Sequence, residues 1–142
     1  MKLDINNVYE KYLHMSYKEK VIEGIKGIAM LNNYLVKMDI EERDRVTFYI
    51  NLTRLFIAAD SEASIMECQL FNDIFKSQIP FENFKEMIAH GDDPEFVKSM
   101  NKLIDMMDDE AKLGACSYGL VFLSIDRHLS DKEKEVFRYI LD

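Results

Sequence analysis

Two prolines and five glycines in 142 residues leave little room for long loops, and alternating strand patterns closed by hairpin turns are absent. A sheet-based fold is therefore not expected. Cysteine is scarce as well. Cys68 and Cys116 fall inside helical patterns with no CxxC spacing, so buried free thiols are expected rather than a metal knuckle or a disulfide framework. The longest apolar stretch, near Tyr118–Ile125, falls far short of the roughly 20 residues that span a bilayer. The N-terminal MKLDINNVYEKYLHM has no apolar segment of signal-peptide type. Basic charge is also short: 18 Lys and Arg stand against 26 Asp and Glu, for a net charge of −8. That balance argues against nucleic-acid binding and against simple electrostatic docking on an anionic membrane. A reduced, soluble, cytoplasmic protein is the expectation. No nucleophile elbow, P-loop, dinucleotide fingerprint or HExxH helix occurs, which removes the usual reasons to propose catalysis.

What is present is helical periodicity. At 48% hydrophobic, the chain has enough apolar side chain for a real core. The pattern predicts an all-α protein, a compact bundle of about seven to eight helices in a single domain over residues 1–142. A first helix is expected from Asp4 to about Leu13. Ser16 with Glu19 forms a capping box opening a helix to about Lys37, with Val21, Ile25, Ile28, Ala29 and Leu35 as its apolar positions. Gly24 and Gly27 inside it point to weakness or to close packing. Asp39 with Glu42 repeats the start signal for a helix to about Ala59, striped by Phe48, Leu52, Leu55 and Phe56. Further helices are expected from Ile65 to about Lys76, from Pro80 to a stop at Gly91, and from Asp93-Pro94-Glu95 to about Met107. Asp108-Asp109-Glu110 suits the dipole of a helix to Ile125, whose second half is apolar around most of its circumference. That helix is expected at the centre.

A repeat organises the chain. Phe56, Asp60, Ser64, Glu67, Phe71 and Ile74 recur sixty-six positions later as Phe122, Asp126, Ser130, Glu133, Phe137 and Ile140. Each copy reads as helix, tight acidic turn, then a helix opened by a Ser/Glu capping box. A duplicated helix-turn-helix unit accounts for the shared placement of cap, acid and apolar positions better than chance.

The acids at these turns are the grouped candidates for chemistry: Asp60, Glu62, Glu67, Asp126, His128 and Glu133. If the two units pack by pseudo-twofold symmetry, the turns approach each other. Carboxylates with one imidazole would then suit Mg²⁺, Mn²⁺ or Ca²⁺, or Zn²⁺ through His128. The structural alternative is favoured, because Glu67 and Glu133 are already employed as capping-box acids and Asp60 and Asp126 can bond turn amides. His14 and His90 fit roles at helix ends, and the nine methionines fit irregular core filling.

The two turns resemble the TerB-like family, which takes in the tellurite-resistance protein TerB and the N-terminal region of the co-chaperone DjlA. The likeness rests on Ala58-Ala59-Asp60-Ser61-Glu62-Ala63-Ser64-Ile65-Met66-Glu67 and on Ser124-Ile125-Asp126-Arg127-His128-Leu129-Ser130-Asp131-Lys132-Glu133. The glycine that follows Asp in the family is Ser61 in one copy and Arg127 in the other. The resemblance implies an all-helical fold, a role in tellurite or other stress responses, and association with divalent metals, membranes or partner proteins. It implies no established reaction. The leading expectation is a non-catalytic binding or scaffold module that presents acidic turns to a protein partner or a divalent cation. The rival is a metal-assisted hydrolytic enzyme using the same turns.

Overall fold

The computed structural model describes residues 5–58 and 63–125. Among these are seven α-helices and no strand: α1 (Ile5–Leu13), α2 (Tyr17–Lys37), α3 (Glu42–Ala58), α4 (Ile65–Phe75), α5 (Phe81–Met87), α6 (Pro94–Asp105) and α7 (Asp109–Ile125). The all-α bundle expected from the sequence is what forms. The eighth helix, expected from Ser130 onward, lies outside the described residues.

α7 is the hub. It packs against α1, α2, α3 and α4, and its contact with α2 is the most extensive between described helices. From Gly114 to Ile125 every residue except Ser117 is buried. An apolar circumference demands this, since each exposed face would cost about 25 cal/mol per Å². α2 runs antiparallel to α7. Lys20 bonds Ser124 at one end, and Tyr34 Oη donates to the Met106 carbonyl at 3.0 Å at the other.

Glycine lets these two helices touch. A Cβ on Gly27 would lie 2.6 Å from the Gly114 carbonyl oxygen, and one on Gly114 would lie 2.7 Å from that of Gly27. The glycines inside α2 thus mark close packing, not weakness. Gly119 takes the ring of Phe56, whose nearest atoms would sit 2.6 Å from an added Cβ.

The core face of α2 is turned from the expected one: Leu35 is buried and Val21 and Ile28 pack against the core as expected, but the centre of the face is elsewhere. Lys20, Gly24, Gly27, Leu31 and Leu35 point inward, while Ile25 and Ala29 face solvent. Hydropathy alone ranks glycine low, so the pattern favoured Ile25 and Ala29 over Gly24 and Gly27; backbone approach decided otherwise. In α6, Met100 and Ile104 are buried and Leu103 is exposed. Met100 and Met107 fill the core as expected, but Met38, Met66 and Met106 are exposed.

Caps account for most of the boundaries. Ser16 and Ser64 both make complete capping boxes with Glu19 and Glu67. Asp93 accepts from the Glu95 N–H at 3.1 Å, with Pro94 in the first turn. Asp108 Oδ1 accepts from the Ala111 N–H at 2.8 Å at the start of α7. Pro80 is the residue before α5 rather than its first turn.

Two expected signals act differently. Asp39 does not start α3; it ends α2. Its φ is 58°, its N–H bonds the Val36 carbonyl, and the Ile40 N–H bonds the Leu35 carbonyl. That pair of bonds is a Schellman motif, and aspartate is one of the few side chains that tolerates the left-handed conformation. Gly91 likewise is not the left-handed residue after α5. His90 takes that role, at φ 63°.

Candidate functional site

The two acidic segments expected to form turns follow α3 and α7 in the sequence, so the described ends of those helices are what the structure shows of their approach. α3 approaches the first turn with Leu55, Phe56 and Ile57 buried, and Phe56 locks onto Gly119 of α7. α7 approaches the second turn with Phe122 fully buried and its ring edge-on to Tyr118 at 5.0 Å. The matched pair Phe56 and Phe122 is buried at both stations, and Phe71 and Ile74 of the first copy are buried on α4; their counterparts Phe137 and Ile140 lie outside the described residues.

Of the six proposed ligands, Glu67 is the one that the structure places. Asp60, Glu62, Asp126, His128 and Glu133 lie outside the described residues. Glu67 is 3% exposed. Its Oε1 accepts from the Ser64 N–H at 2.7 Å, while Ser64 Oγ accepts from the Glu67 N–H at 3.1 Å. The carboxylate is therefore committed to starting α4. Among the described residues, no three His, Cys, Asp or Glu side chains gather as a metal would require.

Sequence reasoning missed Lys20. It is 7% exposed, and its ammonium donates to the Ser124 carbonyl at 3.2 Å. The last carbonyls of a helix have no partner within it and carry partial negative charge. Tyr9 Oη donates to the neighbouring Leu123 carbonyl at 3.4 Å. Ser124 Oγ returns a bond to Val121 at 3.1 Å. The end of α7 is thus capped from α1 and α2 by side chains, and a positive charge stands two residues before Asp126. The signal for Lys20 was its register with Gly24, Gly27 and Leu31, which becomes legible only when the glycines are read as the contact face.

The other buried polar groups serve packing. Thr53 Oγ1 donates to the Tyr49 carbonyl at 2.8 Å. Its single proton is then spent, so Tyr118 Oη is the donor in the 2.6 Å bond between the two hydroxyls. Burial raises the Tyr118 pKa far above its ordinary value. Burial also pushes the Cys116 thiol up to about 12, and raises that of Cys68 despite a bond from Asn72. Neither thiol is a nucleophile at neutral pH. Asn72 spans the α4–α5 connection: its Oδ1 accepts from Ile79 N–H at 2.9 Å and Ser77 Oγ at 2.7 Å, and its Nδ2 donates to the Ile79 carbonyl at 3.0 Å. Arg54 joins α3 to the α5–α6 junction, donating to the Ala89 carbonyl at 3.1 Å with its guanidinium 4.2 Å from the centre of the Phe96 ring.

An open groove runs along α6, lined by Asp92, Pro94, Val97, Lys98, Asn101 and Lys102. It contains one acid and two lysines and no Ser, Thr, Cys or His. No helix among the described residues is long and apolar enough to cross a membrane. No family model, no curated protein and no solved structure matches the chain.

Proposed function

We propose that the chain is a non-catalytic binding or scaffold module of the TerB-like type, which meets its partner through the two acidic inter-helix turns. A cytoplasmic stress response of the tellurite-resistance kind is the setting that the resemblance suggests. The observation that carries the reading is the complete Ser64–Glu67 capping box at the first turn. It stands where the repeat requires a helix to restart, behind an α3 whose Phe56 is buried like its counterpart Phe122.

The first turn favours a protein partner over a cation, because the Glu67 carboxylate is already held by the Ser64 N–H at 2.7 Å. A hydrolytic centre gains no support, because Glu67 would have to leave its cap to ligate.

Calorimetric titration with Mg²⁺, Mn²⁺, Ca²⁺ and Zn²⁺ separates the two arms. Heat that disappears in a variant carrying Asp60→Asn and Asp126→Asn supports cation binding at the turns. No heat at millimolar cation, with an unchanged melting temperature, removes that arm. The protein arm is tested by photocrosslinking from position 61 or 127. The reading fails if neither position yields a defined adduct in cells while a crosslinker on α5 does.

A further inference from the structure

We draw no further inference here: the strongest candidate, the open groove along α6 lined by Val97, Lys98, Asn101 and Lys102, follows a single helix face on which Asp92 stands with the two lysines, and nothing in the structure shows what covers it.

Discussion

Gly27 and Glu67 show how one residue's contact can reverse its average behaviour. In an exposed helix interior, glycine to alanine gains about 1 kcal/mol. At Gly27 the new methyl would meet the Gly114 backbone oxygen at 2.6 Å, and backbone cannot swing aside. Gly27→Ala is expected to lower stability by about 1–3 kcal/mol in chemical denaturation. Gly24→Ala should cost less, because its methyl would meet the mobile Cδ1 tip of Ile74. Equal effects at both positions would contradict the α2–α7 approach. For Glu67, the capping role makes glutamine an adequate substitute and alanine a poor one. Glu67→Gln should melt close to wild type, while Glu67→Ala should lose about 1–3 kcal/mol by leaving the Ser64 N–H without its acceptor. A ligand role would instead make both substitutions abolish any cation heat.

At the scale of the element, helix starts were more legible than helix stops. Ser16, Ser64 and Asp93 announce their helices because an N-cap side chain bonds within three residues, a relation that local sequence contains. Stops depend on which residue enters the left-handed region, and that is settled by where the next element has to go. Hence Asp39 and His90 occupy positions that composition assigned to a start and to Gly91. Ser64→Ala should cost about 1 kcal/mol and fray α4 first, visible as faster amide exchange near Ile65–Cys68. His90→Gly should raise the melting temperature, since glycine relieves a non-glycine residue at φ 63°. A lower melting temperature would show that the His90 side chain holds the α5–α6 turn.

For the whole molecule, the clearest environmental dependence is alkaline. Cys116 titrates at about 12 when folded, against an ordinary 9.0, and burial raises Tyr12, Tyr49 and Tyr118 in the same direction. A raised folded value means that the native state keeps protons the unfolded chain has lost. The stabilisation is complete below pH 9 and declines as pH rises toward 12. Urea midpoints should therefore fall across that interval, and Cys116→Ala should show a shallower fall than wild type. A flat profile would mean that α7 is open to hydroxide and water.

Local sequence alone determined the helical class, most of the helix starts and the burial of α7, because capping bonds and an all-round apolar helix are properties of short segments. The repeat likewise predicted that Phe56 and Phe122 would be buried. Only the tertiary structure decided which side of α2 meets the core, because glycine has no side chain to register in a hydropathy pattern yet permits a close backbone approach between α2 and α7. That choice buried Lys20 against the end of α7 and turned Ile22, Ile25 and Val36 to the outside. That arrangement follows from how two helices cross, a relation between residues about a hundred positions apart.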